Sequence, residues 1–198
     1  MAQMIPIILA AGESKRMGFP KPLLDFNSQK CLDLVINNCN SANLPTPIVV
    51  LGADHDLIIK GCKLNGCHVV FNVEYGSGQT SSLKHGLKNL PFDANSFLIY
   101  PADLPMVCVE TINKLKKMFL RDSNNIIIPT YKNKRGHPVI CGIDIKEEFL
   151  GLADSDPAHL VIRKDKSRVI EIQVEDEAIT LPLNTQDDYK SLLMKYFP

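Results

Sequence analysis

The sequence has no excess of charge of either sign and no long apolar run, and each absence excludes a class of protein. Its 198 residues hold 22 lysines and arginines against 22 aspartates and glutamates, so the formal net charge is zero. A neutral chain has no general attraction to nucleic acid or to anionic lipid, so neither is expected as a partner. The longest apolar run near the start covers only 5–11, far fewer than the ~20 residues of a membrane span, and no basic leader precedes it. We therefore expect neither a signal peptide nor a membrane span, and any polyanion must be bound locally.

The cysteines are few and irregularly spaced. None of the six forms a C-x-x-C pair, and their spacing is not the dense, regular one of a disulfide framework. The pattern predicts reduced thiols, mostly in the core, and therefore a cytoplasmic protein. The six are Cys31, Cys39, Cys62, Cys67, Cys108 and Cys141.

What the sequence does contain is the composition of an ordinary globular domain, with 45% apolar and 22% charged residues. A chain of this length buries roughly 70% of the surface that it exposes when unfolded, so one hydrophobic core stabilises it without disulfides. No internal repeat, low-complexity tract or long linker divides the sequence. We expect one domain over residues 1–198.

Short apolar runs alternate with amphipathic segments along the first two thirds of the chain. The runs are typical of strands covered on both faces, and the segments between them repeat apolar residues at helical spacing. Such alternation predicts βαβ units and an α/β fold, in which a mostly parallel sheet lies between two helix layers. The strand-like runs are 4–9, 47–51, 69–71, 97–100 and 126–128. The helical faces are Leu32, Val35, Ile36 and Cys39, then Leu83, Leu87 and Leu90, then Ile112, Leu115 and Phe119.

The pattern changes after residue 129. A polar turn is predicted over 131–136, and an added antiparallel strand at the sheet edge over 137–141. Asp156 and Pro157 have the order of an N-cap and a first helical residue, and 169–174 alternates like a half-buried strand. Thr185 stands where it would cap a last helix.

The loop after the first strand is the most informative segment. It reads LAAGESKRMGFPKPLL over 9–24 and leaves the strand at its carboxyl end, where open α/β sheets bind ligands. Small residues and glycine let the backbone approach a ligand with its N–H groups, and a lysine and an arginine add positive charge. The loop therefore favours a phosphate-binding site, although ordinary turns also use glycine and surface loops also carry basic residues. Its predicted binding residues are Leu9, Ala10, Ala11, Gly12, Ser14, Arg16, Met17, Gly18 and Lys21.

Three further positions have side chains suited to a nucleotide site. Asp103 follows the strand-like run 97–100, and a carboxylate there suits Mg²⁺, or else caps the next helix. Gly78 and Ser82 open a helix and suit a base edge or a phosphate, or else serve as a turn and a cap. His137 is a lone histidine, and such residues are more often packed than catalytic.

Four stretches in matching order resemble the MobA-like nucleotidyltransferases, within the wider nucleotide-diphospho-sugar transferase superfamily. The first loop matches their L-A-A-G-x-S-x-R-M-G-x-x-K. Two other nucleotide-binding patterns, the Walker A motif and the dinucleotide-binding G-x-G-x-x-G, do not occur in the sequence. The stretch 72–87 resembles N-P-x-x-x-G-x-x-x-S-L-x-x-G-L, with Val73 in place of proline. Residues 101–105 stand at the family's G-D-x-P, with Ala102 in place of glycine, and 135–139 matches its G-H-P-V. The form L-A-A-G resembles the molybdenum cofactor cytidylyltransferase branch more than the guanylyltransferase branch.

The resemblance implies a Rossmann-like three-layer sandwich and the transfer of CMP from CTP to the phosphate of molybdopterin, with release of pyrophosphate. It also implies Mg²⁺ as cofactor, CTP and molybdopterin as substrates, and a molybdenum hydroxylase apoenzyme as a protein partner. By this resemblance the catalytic residues are Arg16, Lys21 and Asp103, the metal ligand is Asp103, Gly78 and Ser82 bind the nucleotide, and Gly136, His137 and Pro138 bind the acceptor.

The sequence departs from the family near its end. Where the family has D-x-D-T-P-E-D-Y, this chain has PLNTQDDY over 182–189. Both leading aspartates are missing, and Asn184 offers an amide oxygen without the charge expected of a second metal ligand. Two alternatives therefore stay open: a related transferase that uses GTP or a sugar or alcohol phosphate, and a non-catalytic carrier or chaperone of the molybdenum cofactor.

Overall fold

The computed structural model of the chain describes residues 3–121 and 125–197. Within these ranges, no helix is both long enough and apolar enough to cross a bilayer. The strands are β1 Gln3–Ala10, β2 Asp25–Phe26, β3 Gln29–Lys30, β4 Ile48–Leu51, β5 His68–Phe71, β6 Ala94–Pro101, β7 Ile126–Tyr131, β8 Lys134–Arg135, β9 Val139–Gly142 and β10 Val169–Gln173. The helices are α1 Cys31–Ser41, α2 His55–Gly61, α3 Gln79–Lys88, α4 Val109–Phe119, α5 Lys146–Leu150, α6 His159–Lys164 and α7 Gln186–Tyr196.

One mixed sheet forms the centre of the molecule. Its strand order is β10-β7-β9-β6-β1-β4-β5, and β8 pairs with β7. β1 runs parallel to both of its neighbours, β4 and β6, while β5 runs parallel to β4 and β10 parallel to β7. This mostly parallel sheet confirms the predicted fold class.

Alternate residues of β1 pack into two cores, one on each face of the sheet. Ile8 belongs to a core with the apolar faces of α1 and α4, and Ile7 belongs to a second core with α3 and α5. Strand side chains alternate in direction, so a strand covered on both faces is apolar along its buried length, as β1 is after Gln3. The predicted helical faces are confirmed, except that Leu90 lies beyond the end of α3.

The antiparallel strand β9 lies inside the sheet, between β6 and β7, whereas the sequence predicts it at the edge. The edge position is taken by β10, which pairs with the other side of β7. The hairpin of β7 with β8 and β9 also has a bulge. Thr130 of β7 pairs with Arg135 of β8, and Ile127 of β7 pairs with Ile140 of β9. The two β7 residues are three positions apart, whereas their partners are five positions apart, so the partner segment holds two extra residues. The extra residues fall in 136–138, which leave the ladder next to the carboxyl end of β6.

Several local predictions differ from the structure. α6 begins at His159 and not at Pro157, because the Asp156 carboxylate accepts the N–H of Ala153 and closes a turn before the helix. α2 is not predicted because it is short and buries only Ile58. Cys108 is exposed, which corrects the prediction of core thiols at that position, while Cys31, Cys39 and Cys141 are buried.

An ion-pair cluster holds α5 against α6 and the turn before β10. Glu148 on α5 pairs with Lys164 at 3.0 Å, and also with both terminal nitrogens of Arg168. Arg168 in turn donates to the carbonyl of Val161 at 2.8 Å. Hydrogen bonds from Arg168, helped by Lys164, lower the pKa of Glu148 from 4.5 to about 2. The cluster therefore stabilises the fold only while this carboxylate is charged.

We predict that Glu148→Gln lowers the free energy of unfolding by about 2 kcal/mol at pH 7. Because the pKa is lower in the folded chain, the contribution is present above the ordinary value of 4.5 and is lost as the pH falls from there toward 2. Urea titrations at several pH values measure this difference, with Glu147→Gln on the exposed side of α5 as the matched control. An equal gap between wild type and Glu148→Gln at pH 7 and at pH 3 would contradict the assignment.

The last helix begins with a reciprocal pair of hydrogen bonds. The Thr185 hydroxyl accepts the N–H of Asp188, and the Asp188 carboxylate accepts the N–H of Thr185 at 2.8 Å. This capping box confirms the predicted cap and satisfies backbone donors that a helix start otherwise leaves unpaired.

We predict that Thr185→Ala lowers the free energy of unfolding by about 1 kcal/mol, because the N–H of Asp188 loses its acceptor. Equilibrium denaturation followed by circular dichroism measures the change. Lys190→Ala, at an exposed position of the same helix, is the control and is expected to stay within about 0.5 kcal/mol of wild type. Equal midpoints for Thr185→Ala and Lys190→Ala would contradict the capping role.

Candidate active site

A cavity of about 730 Å³ opens at the carboxyl ends of β1 and β6. Its lining includes most of the sequence-predicted residues: Leu9, Ala10, Ala11, Gly12, Ser14, Lys21, Gly78, Ser82, Asp103, Gly136 and His137. Arg16, Met17, Gly18 and Pro138 are not among the lining residues. The structure therefore brings together the first loop, the strand-end acid, the start of α3 and the bulge beside β9.

Ser14 closes the first loop. Its carbonyl accepts the N–H groups of Met17 and Gly18 at 2.9 and 3.1 Å, and its hydroxyl accepts the N–H of Lys21 at 3.0 Å. Ser14 itself adopts a left-handed conformation, with φ 53°. These bonds fold the chain back on itself, so that Lys21 returns to the end of β1 from which the loop departs.

Lys21 and Asp103 form an ion pair in the cavity. The Lys21 Nζ lies 2.7 Å from the Asp103 Oδ2, and the two side chains are only 20% and 23% exposed. Asp103 stands just beyond β6, and the carbonyl of Leu9 accepts the N–H of Ala102, which continues the pairing of β1 with β6. A cation and an anion are thus held together where partial burial strengthens their field. A phosphate that carries a metal ion needs a cation near its oxygens and a carboxylate near the metal, and this pair offers both in one place.

Three other residues of the first loop lie outside this cavity. The Arg16 Nη2 donates to the Asn184 Oδ1 at 3.0 Å, in an exposed contact with the loop before α7. Met17 is buried in a small core with Phe26 and Leu183. At Gly18 a Cβ would meet no atom within 4 Å, and φ is +71°, so glycine serves the turn there. In this structure Arg16 therefore ties the loop to the C-terminal segment.

The start of α3 forms another wall. Gly78 precedes the helix with φ 128°, a conformation that other residues rarely adopt, and its Cβ would lie 3.2 Å from the carbonyl of Asp154. Ser82 is 4% exposed and reaches the cavity from the first turn. Gln79 and Tyr75 line the same wall, and neither is singled out by the sequence.

The bulge beside β9 supplies the opposite wall. His137 donates its backbone N–H to the carbonyl of Ile179 at 3.1 Å, and its Nδ1 is buried with no partner among the described residues. Burial lowers the pKa of His137, opposed by the Ile99 carbonyl and the charge of Asp103, so the ring is neutral at pH 7. Lys134, in β8 of the same hairpin, also lines the cavity, and the sequence does not predict it as a site residue.

A second cavity of about 410 Å³ adjoins the first. The two share Leu9, Gly78, Gln79 and His137 as lining residues. The second cavity is mainly apolar on the side of Leu83, Ile99, Val139, Phe149 and Ile162. Its outer wall is held in place by Lys84, which donates to the carbonyl of Leu152 at 2.9 Å and to Asp154 at 2.6 Å.

Carboxylates are scarce around the cavity. Within the described residues, no cluster of three or more His, Cys, Asp or Glu side chains has the geometry of a metal site. Pro182 lines the cavity where the family motif has its first aspartate, and Asn184 is bonded to Arg16. Two acids, Glu13 and Asp103, are among the described residues that line the cavity, and Asp103 is the one paired with Lys21.

The fold and the cavity define a Rossmann-like α/β protein whose ligand site lies at the carboxyl ends of parallel strands. Residues 6–169 match the family described as the MobA-like NTP transferase domain. The chain belongs to this nucleotidyltransferase family, which confirms the resemblance of its motifs.

Three curated proteins are similar to the chain. Nicotine blue oxidoreductase of Paenarthrobacter nicotinovorans is 23% identical over 94% of this chain and 95% of its own. The molybdenum cofactor cytidylyltransferase of Escherichia coli is 23% identical over 96% and 95%, respectively. The probable molybdenum cofactor guanylyltransferase of Methanocaldococcus jannaschii is 28% identical over 64% of each chain.

A solved structure with the same fold is Rv0371c from Mycobacterium tuberculosis H37Rv. It superimposes with a TM-score of 0.85 at 25% identity and covers 98% of both chains. A further crystal structure of that protein is a complex with manganese.

We predict that Gly136→Ala displaces the bulge, because its Cβ would collide with the carbonyl and side chain of Ile179. The free energy of unfolding should fall by about 2 kcal/mol or more. Gly76→Ala is the matched control: it also lines the cavity, yet its Cβ would meet nothing within 4 Å. Thermal unfolding of both variants measures the effect, and an unchanged melting temperature for Gly136→Ala would contradict it.

Proposed function

We propose that the protein transfers CMP from CTP to the terminal phosphate of molybdopterin and releases pyrophosphate. The observation that carries the proposal is the 2.7 Å contact between Lys21 and Asp103 inside the large cavity. A carrier that only holds a cofactor needs no such paired charges at the end of the first strand. Similarity to a cytidylyltransferase over nearly the whole chain supports the nucleotide and the acceptor.

The residues present fit a divalent metal that arrives with its nucleotide. Mg²⁺ is commonly held by one or two carboxylates together with substrate phosphates, and Asp103 supplies one carboxylate. The family resemblance and the manganese complex of the mycobacterial homologue support a divalent ion. Asp103 would hold Mg²⁺, which when bound supplies a Lewis acid for the α-phosphate of CTP.

The remaining chemistry is positioning and charge neutralisation. An oxygen of the acceptor phosphate attacks the α-phosphorus, and the bond from that phosphorus to the pyrophosphate oxygen breaks. The attacking oxygen is already anionic, so no general base is required. Lys21 stabilises the negative charge that develops on the departing pyrophosphate. Gly136 lines the large cavity, and His137 lines both this cavity and the adjoining one, which offers room for the acceptor.

We predict that Lys21→Ala and Asp103→Asn each lower Mg²⁺-dependent pyrophosphate release from CTP by about a hundredfold or more. Each variant removes one of the two charges that position the triphosphate. Lys15→Ala is the control, because Lys15 is a lysine of the same loop that is exposed and is not among the residues that line the cavity. Circular dichroism verifies that the variants stay folded.

Near-normal turnover in either variant would overturn the assigned roles. Assays with CTP, GTP, ATP and UTP, each with molybdopterin and with a sugar phosphate, separate the proposed reaction from its alternatives. Because one relative is an oxidoreductase, binding of NADH and NADPH is measured in parallel. Tight binding of a nicotinamide cofactor without pyrophosphate release would replace the proposed function by a redox one.

A further inference from the structure

The loop that carries Asp103 joins β6 to α4 and covers residues 102–108. It is largely buried, with Leu104, Pro105 and Val107 all shielded from solvent. A buried carbonyl group outside a helix or strand needs a hydrogen-bond donor from another part of the chain. The position of this loop therefore depends on the donors that reach it.

Asn38, in the third turn of α1, supplies one set of donors. Its side-chain nitrogen donates to the carbonyls of Pro105 and Val107 at 3.1 and 3.0 Å. If the amide were turned over, its own oxygen would face these two carbonyl oxygens, and acceptors would oppose each other. The orientation of the amide is therefore set by the loop that it holds.

Tyr100, near the carboxyl end of β6, supplies another donor. Its side chain is fully buried, and its hydroxyl donates to the carbonyl of Leu104 at 3.2 Å. The direction of this hydrogen bond is certain because a carbonyl oxygen only accepts. Burial raises the pKa of Tyr100, so the hydroxyl keeps its proton at neutral pH. The sequence predicts only an apolar strand at this residue.

Asp103 is held by the main chain on both of its sides. On the preceding side, Ala102 donates its N–H to the carbonyl of Leu9 at 3.0 Å. The carbonyl of Ala102 accepts the thiol of Cys31, whose sulfur lies 3.2 Å away. On the following side, the carbonyls of the loop are paired by the tyrosine and the asparagine. The sheet thus fixes the approach to Asp103, and side chains fix the exit from it.

We propose that Asn38 and Tyr100 are positioning residues that hold the Asp103 carboxylate beside Lys21, where it receives the metal of the nucleotide complex. This inference rests on the proposed function, which places Mg²⁺ at Asp103. Neither Asn38 nor Tyr100 is among the described residues that line the cavity, so both act through the loop. A misplacement of roughly 1 Å at a reacting group costs on the order of a hundredfold in rate, so a loosened loop weakens the site.

Tyr100→Phe tests the role with the smallest change, because it removes one hydroxyl and keeps the ring in the core. We expect CTP in the presence of Mg²⁺ to bind about tenfold more weakly, as the carboxylate no longer meets the metal in the same place. Calorimetry measures the affinity. Thr111→Val is the matched control: it also removes one buried hydroxyl, but that hydroxyl donates to Asp176 and not to the loop. It should lower stability and leave CTP binding unchanged.

A double-mutant cycle separates positioning from a general loss of structure. If Tyr100 acts through the Asp103 carboxylate, Tyr100→Phe should have no further effect on CTP affinity in the Asp103→Asn protein. Asn38→Leu is the second variant and should give the same pattern with a larger loss, because two carbonyls lose their donor. Circular dichroism verifies that each variant is folded.

Unchanged CTP affinity in folded Tyr100→Phe and Asn38→Leu would overturn the inference and leave the proposed function standing. Equal weakening with and without the Asp103 carboxylate would also overturn it, since that is the result of a merely structural role. If the cycle shows the expected coupling but wild type releases no pyrophosphate with molybdopterin, the proposed function fails while the inference holds.

Discussion

The ion pair between Lys21 and Asp103 is the interaction on which the account of this protein depends. The two residues are 82 positions apart in the sequence, yet their charged atoms lie 2.7 Å from each other. The parallel pairing of β1 with β6 brings their carboxyl ends together, and the Ser14 turn returns the lysine to that edge. The chain has no net charge, so charge in the cavity comes from local side chains such as this pair and not from a general field.

The rest of the fold holds the walls around this pair. The bulge that contains His137 is set by the register of the β7 hairpin and by the contact of Gly136 with Ile179. The opposite wall is the start of α3, where Gly78 turns the chain and Asn72 donates to two serine hydroxyls of that helix. Neither wall is a flexible surface loop, because each is bonded into the sheet or a buried network. A rigid frame of this kind positions reactants without reorganisation, which is the main requirement of phosphoryl chemistry.

Much of the fold and part of the site can be predicted from the sequence for identifiable reasons. The strands β1, β4 and β6 are buried on both faces, so they are apolar runs, and Asp103 follows one of them directly. Other features depend on tertiary context. The insertion of β9 inside the sheet and the start of α6 depend on which neighbour supplies a hydrogen bond. Arg16 shows the same limit: its charge is visible in the sequence, but its contact with Asn184 involves a residue 168 positions away.

The departures from the family pattern acquire a physical meaning in the structure. Pro182 lines the cavity without offering a ligand, and Asn184 pairs with Arg16, so neither position adds a second carboxylate beside the Lys21–Asp103 pair. Under the proposed function such a site would hold Mg²⁺ chiefly as part of a nucleotide complex, since one carboxylate alone holds that ion weakly.

The most direct test of the central claim is a crystal structure of the protein grown with Mg²⁺ and CTP. We expect the triphosphate in the large cavity, with Lys21 Nζ on a phosphate oxygen and the Asp103 carboxylate on the metal. A triphosphate bound elsewhere, or bound in this cavity with the Lys21–Asp103 pair intact and no metal at Asp103, would contradict it.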